Sequence, residues 1–148
     1  MRRLHVSLRV ADLDRSVAFY NTLFGMEPTL VKQDYAKWES SDPPVLLSVV
    51  SRGAPGFDHL GIQSDDVADV EALHARVSPA TEGPELAGCC YAESTKSWLR
   101  DPDGVAWENF TTHGQTEGFY GEPEAVAATA CCAPTEPEVV GIGGGSCC

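Results

Sequence analysis

The sequence predicts an α+β fold of two βαβββ modules that enclose a cavity able to hold a metal, and three observations carry that prediction. Residues 3–9 and 57–63 each alternate strictly between apolar and polar side chains, the period of a half-buried strand. Each is followed by a segment with helical spacing and then by three extended stretches, so the chain repeats one grammar. The two halves also match in detail: His5 and His59 fall at the same parity of their strands, and each third strand carries a tryptophan before an Asp-Pro turn.

In the first strand Leu4, Val6 and Leu8 share one face, and His5, Ser7 and Arg9 the other. Asp12 can cap the next segment, in which Leu13, Val17, Tyr20 and Phe24 form an apolar stripe that Gly25 closes. Extended stretches follow near 27–32, 35–40 and 45–51, the last two joined by Asp42-Pro43-Pro44. After the connector 52–56 the second module begins with the strand 57–63, in which His59, Gly61 and Gln63 match His5, Ser7 and Arg9. Asp66 heads a helix over 66–77 with Val70, Leu73 and Val77 on its apolar face, ended by Ser78-Pro79. Stretches near 87–93, 95–100 and 105–111 complete the unit. The modules thus span about 1–52 and 57–113 of a domain over 1–122, and periodicity is lost from Gly114.

A chain of 148 residues is long enough to build a core without disulfide staples. With a net charge of -12 and no basic stripe, the sequence makes nucleic acid and anionic membranes poor partners. No apolar run approaches the roughly 20 residues of a membrane span. The expectation is a cytoplasmic protein, monomer or homodimer, acting on a small molecule. Residues 101–148 contain 8 of the 22 acids and no Lys or Arg. Residues 123–148 read as a flexible acidic tail holding Cys131-Cys132 and Cys147-Cys148, with a short helix conceivable over 125–132.

His5 and His59 on matching strands, with Glu108 on the last strand at the parity of Ala106 and Phe110, form a candidate metal set. Two neutral imidazoles and one carboxylate suit a divalent first-row ion and leave coordination positions open. Ser48 stands ten residues after Trp38, as Glu108 does after Trp98, so the duplication puts a serine where a fourth ligand would be. A hydroxyl is a poor ligand at neutral pH, and three ligands favour oxygen chemistry over isomerisation. His74 and His113 have no counterpart in the other module and read as surface residues.

The six cysteines form three adjacent pairs, unlike the dispersed spacing of a secreted disulfide framework. Cys89-Cys90 follows Gly88 in the loop or strand facing the second module's cavity. Adjacent cysteines strain a mutual disulfide, whereas two thiolates suit a soft metalloid or heavy-metal ion. The plain alternative is a pair of small core side chains.

The stretches Arg3-Leu4-His5-Val6, Asp12 to Tyr20, Asp34-Tyr35-Ala36-Lys37-Trp38, Asp58 to Gln63, and Cys89-Cys90-Tyr91-Ala92 with Lys96-Ser97-Trp98 resemble the vicinal oxygen chelate superfamily. Within it they resemble the ArsI-type carbon-arsenic lyases, also known as CadI-like proteins, over about residues 2–122. The resemblance implies a non-haem Fe(II) dioxygenase in which His5, His59 and Glu108 hold iron. It also implies that Cys89 and Cys90 hold the arsenic of a trivalent organoarsenical, methylarsenite or an aromatic arsenical, with Tyr91 and Lys96 as substrate contacts. The same resemblance implies molecular oxygen as co-substrate and arsenite as product. Two rival readings stand beside it: a glyoxalase-like enzyme acting on a carbon substrate, and a non-enzymatic cadmium or arsenite binder using the cysteine pairs.

Overall fold

The structure, a computed structural model, describes residues 2–78 and 83–120. The tail at 123–148, its two cysteine pairs, the short helix over 125–132 and Pro79 lie outside the described residues.

The first module runs β1 (Arg3–Arg9), α1 (Leu13–Phe24), β2 (Leu30–Lys32), β3 (Tyr35–Ser41) and β4 (Pro44–Val50). The second repeats it as β5 (Gly56–Gln63), α2 (Val67–Val77), β6 (Glu85–Cys89), β7 (Ala92–Arg100) and β8 (Ala106–Gln115). All eight strands join one mixed sheet in the order β2-β3-β4-β1-β5-β8-β7-β6. The expected duplication is therefore realised as two four-stranded halves meeting at β1 and β5.

That central pair is antiparallel, with His5 opposite Gly61, Val6 opposite Leu60 and Ser7 opposite His59. Val6 and Leu60 are equivalent positions of the two modules and lie opposite each other, so the local two-fold passes between them. The two histidines are thus offset diagonally on one face, the reach of long side chains across an antiparallel pair.

Local sequence explains the helices. Asp12 in extended conformation accepts from the Arg15 amide at 3.0 Å, and Gly25 takes the left-handed terminator conformation at φ 64°. Asp66 caps α2 in the same way, accepting from the Asp69 amide at 2.8 Å. The predicted stripe of α1, Leu13, Val17, Tyr20 and Phe24, packs with Val6 and Leu8 on buried Ala36, Trp38, Leu47 and Val49. Trp38 has no exposed surface, and its indole N–H donates to Asn21 Oδ1 at 3.0 Å. With Val6 and Leu8 turned to this helix layer, β1 turns His5 and Ser7 to the opposite, concave face, and both are buried.

Three expectations change. The strands expected at 87–93 and 95–100 are β6 and β7, divided by a two-residue turn at Cys90 and Tyr91. Both residues have positive φ, and with no Gly or Asn to mark it the sequence reads straight through the turn. His74 is buried, not at the surface, because it stands one helical turn after Val70 on the face that α2 packs against the sheet. The two tryptophans are not equivalent: Trp38 pairs with Leu47 and faces α1, whereas Trp98 pairs with Glu108 and its ring meets that of His59. The Asp-Pro turns differ in length, with Ser41 paired to Pro44 but Arg100 to Ala106. Ser48 is still the counterpart of Glu108, because Ser7 pairs with Ser48 in parallel as Gly61 pairs with Glu108.

Candidate metal centre

The concave face of the sheet is unusually polar for a protein interior. His5, Ser7, Ser48, His59, Ser94, Lys96 and Glu108 are all buried there. Buried polar groups on this scale need partners or a ligand.

His5 Nε2 lies 3.2 Å from His59 Nε2, and Glu108 Oε2 lies 3.6 Å from the first and 3.5 Å from the second. A point equidistant from the corners of that triangle is about 2.0 Å from each, the bond length of a divalent first-row ion to imidazole nitrogen or carboxylate oxygen. Three protein donors would leave further coordination positions of such an ion to be filled by other ligands. The residues therefore fit a metal ion, and β1, β5 and β8, the three adjacent central strands, each supply one of them.

The ring nitrogens that face away from this point are held. His5 Nδ1 lies 3.2 Å from the Leu46 carbonyl, and His59 Nδ1 lies 3.2 Å from Asp58 Oδ2. Asp58 is itself fixed by Arg9 at 2.7 Å and by the Ser7 hydroxyl at 3.4 Å. Partners of this kind set the ring orientation and raise ligand basicity. Lys96 donates to the second carboxylate oxygen, Oε1, of Glu108 at 2.5 Å, leaving Oε2 on the triangle.

The electrostatics follow from these contacts. Burial drives the His5 pKa down to about 4, so its imidazole is neutral. Burial also opposes charge on His59, but hydrogen bonds to Asp58 and Glu108 outweigh it and lift the pKa to about 9. Glu108 is desolvated as well, yet Lys96 and the histidines hold its carboxyl well below the usual carboxylate range.

Gly61 lets the site close. It sits between His5 on β1 and Glu108 on β8, and a Cβ there would lie closer than 3.0 Å to the Glu108 carbonyl oxygen and 3.1 Å from His5 Cδ2. No larger residue fits between these two strands without moving one of them.

Cys89 and Cys90 line the same cavity as the triangle. Their Sγ atoms lie 3.2 Å apart, too far for a bond between them. Cys89 stands in a disulfide in this structure, so any dithiol chemistry belongs to the reduced form. Lys96 lines the cavity from within β7. Tyr91 is turned elsewhere: its hydroxyl donates to Asp34 Oδ1 at 2.5 Å, and its ring packs against Tyr35 and Phe119. His113 is exposed and hydrogen-bonds Thr95 at 2.7 Å.

Asp58, Gly61, Leu46 and Lys37, which also lines the cavity, did not stand out in the sequence as site residues. An acid directly before a candidate histidine ligand was the available signal for Asp58. The backbone carbonyl of Leu46 leaves no signal at all.

Residues 2–109 match the Glyoxalase/Bleomycin resistance protein/Dioxygenase superfamily. The chain belongs to that superfamily. Among the superfamily's solved structures, the Mn(II)-bound glyoxalase from Novosphingobium aromaticivorans matches with a TM-score of 0.55 at 21% identity, over 79% of this chain and 43% of that one. A superfamily member from Vibrio splendidus 12B01 matches with 0.52 at 18%, over 76% and 100%. These likenesses are of fold, and they bear out the vicinal oxygen chelate architecture expected from the sequence. A trivalent organoarsenical cleaving enzyme of Thermomonospora curvata is 33% identical over the full length of both chains. One from Bacillus sp. strain MD1 is 34% identical over 91% of this chain and 92% of its own. The cadmium-induced protein CadI of Mycobacterium tuberculosis is 34% identical over 83% and 84%.

Proposed function

We propose that this protein cleaves the carbon–arsenic bond of trivalent organoarsenicals, using Fe(II) and dioxygen and releasing arsenite and an oxidised carbon fragment. The observation that carries the reading is the juxtaposition of two chemistries in one cavity: a two-histidine, one-carboxylate metal set and a vicinal cysteine pair. The relatives named trivalent organoarsenical cleaving enzymes support it.

His5, His59 and Glu108 would hold the ion, and iron, when bound, supplies the activation of dioxygen. The remaining work is done by the chain. Cys89 and Cys90, once reduced, bind arsenic through both sulfurs. A soft atom with bonds to sulfur of about 2.3 Å, the length found for zinc thiolates, spans the observed 3.2 Å at an angle of about 90°. That angle is one a pyramidal trivalent centre accepts. Pentavalent arsenicals lack the open soft coordination sites, so the pair selects the trivalent state. Holding arsenic by two bonds directs its carbon substituent into the cavity and replaces a chance encounter with a fixed approach. Lys96 keeps Glu108 ionised and its outer oxygen engaged, while Ser48, a poor ligand lining the same cavity, would leave room for reactants at a bound ion. The need for a reduced dithiol favours a cytoplasmic location.

The relatives named CadI favour a second reading, stoichiometric binding of a thiophilic ion without turnover. One experiment separates the two. Reduced protein reconstituted with Fe(II) is given methylarsenite with and without oxygen, beside the double variant Cys89→Ser, Cys90→Ser. Arsenite release that requires iron, oxygen and both thiols is the expected result. Binding without release, with iron shown to be bound, would refute catalysis.

A further inference from the structure

The turn that carries the cysteine pair is built in a way its own sequence does not support. Two residues, Cys90 and Tyr91, join β6 to β7, with φ of 57° and 61°. Positive φ at both central positions is the mark of a turn that strongly prefers Asn-Gly, because in other L-residues the Cβ meets the following carbonyl. A Cys-Tyr turn of this form persists only where its surroundings hold it.

The surroundings come from the first module, the connector and the segment after β8. Asp34, between β2 and β3, accepts a hydrogen bond from the Tyr91 hydroxyl through Oδ1 and one from Arg52 Nε through Oδ2. Arg52 lies in the connector between modules, and its guanidinium stacks 4.2 Å from the Phe119 ring centre. Phe119 in turn packs edge-on against Tyr91 at 5.5 Å and accepts from the Tyr91 amide through its carbonyl. Thr116 donates to the Tyr91 carbonyl at 2.8 Å. One side chain is therefore fixed at its hydroxyl, its ring and both backbone groups, while its neighbour Cys90 is left on the cavity.

We propose that Asp34, Arg52 and Tyr91 form an inter-module latch that holds the Cys89-Cys90 turn in its left-handed conformation, setting the two sulfurs to accept a single arsenic atom. The inference rests on the arsenical reading above, and it assigns Tyr91 as a positioning residue rather than a substrate contact. The latch touches neither the metal triangle nor its supporting Asp58, so its effects separate from metal affinity.

The test uses the full chain, reduced, in four forms: wild type, Tyr91→Phe, Asp34→Asn and the double variant. Tyr91→Phe keeps the packing and removes the hydroxyl, while Asp34→Asn keeps the shape and removes the charge that holds both Tyr91 and Arg52. Methylarsenite is titrated calorimetrically and Co(II) in a parallel titration. Each variant should bind methylarsenite about tenfold more weakly, the size expected for one hydrogen bond to a charged group. The double variant should be little worse than Asp34→Asn alone, since loss of the Asp34 charge already weakens the bond that Tyr91→Phe removes. Co(II) affinity should be unchanged, and in turnover KM should rise with kcat held. Wild-type-like methylarsenite binding by both variants would overturn the latch while leaving the arsenical reading intact. Loss of Co(II) affinity in parallel would overturn it too, by showing a general effect on the site. Failure of the wild type to bind methylarsenite would remove the arsenical reading and the latch with it.

Discussion

Replacing Gly61 with alanine tests the site geometry most directly, because the change adds one methyl group and no charge. Gly61 has no unusual backbone conformation to lose, so the effect is one of space. The new Cβ would fall within 3.0 Å of the Glu108 carbonyl oxygen, a backbone atom that cannot swing aside, and 3.1 and 3.2 Å from His5 Cδ2 and Cβ. Relief requires β8 or β1 to move away from β5 by several tenths of an ångström. Overpacking of this kind costs about 1–3 kcal/mol, and contact with backbone puts it toward the upper end. The same movement spreads a triangle whose sides are 3.2–3.6 Å. Loss of metal affinity should therefore be on the order of tenfold or more, comparable with removing an outer partner of a ligand. Urea unfolding of metal-free protein gives the stability change, and Co(II) titration gives the affinity change. A variant with wild-type stability and wild-type affinity would refute the claim that strand spacing at Gly61 sets the site.

Three further predictions follow from the same contacts. Asp58→Asn should weaken Co(II) or Fe(II) binding by about 10–100-fold, because Asp58 fixes His59 Nδ1 at 3.2 Å; an unchanged titration would deny Asp58 that role. In the metal-free protein His59 is protonated below about pH 9, so a metal must displace one proton to bind. His5, at about 4, adds none, and affinity should rise about tenfold per pH unit between 6 and 8; a flat profile would contradict the His59 assignment. Trp38→Ala should cost about 3–5 kcal/mol in urea unfolding, since Trp38 is fully buried under α1. A loss under about 1 kcal/mol would mean that the helix layer repacks around the gap.

Much of this protein is written locally. Alternation along residues 3–9 and 57–63 put both histidines on one face of their strands, and the stripe Leu13, Val17, Tyr20, Phe24 with Asp12 and Gly25 defined α1 almost to the residue. The duplication located Ser48 and Glu108 as counterparts, a relation the parallel ladders reproduce. These features depend on period, capping and repetition, which are properties of neighbouring residues.

Tertiary structure decided the rest, because it depends on which strands meet. Antiparallel pairing of β1 with β5 brings His5 within 3.2 Å of His59, and parallel pairing of β5 with β8 adds Glu108; no local rule fixes either. The ten-residue spacing from each tryptophan did not reveal that Trp38 and Trp98 occupy opposite faces, since turns of different length shift the hairpin register by one residue, and one residue reverses the face. Burial of His74, the support of His59 by Asp58, and the Asp34–Arg52 hold on Tyr91 likewise come from packing between segments far apart in the chain. Sequence by itself thus supplied the candidate ligands and the faces they occupy. Their distances, protonation and support came only from the sheet that assembles them, because separation in space is set by long-range pairing and not by spacing along the chain.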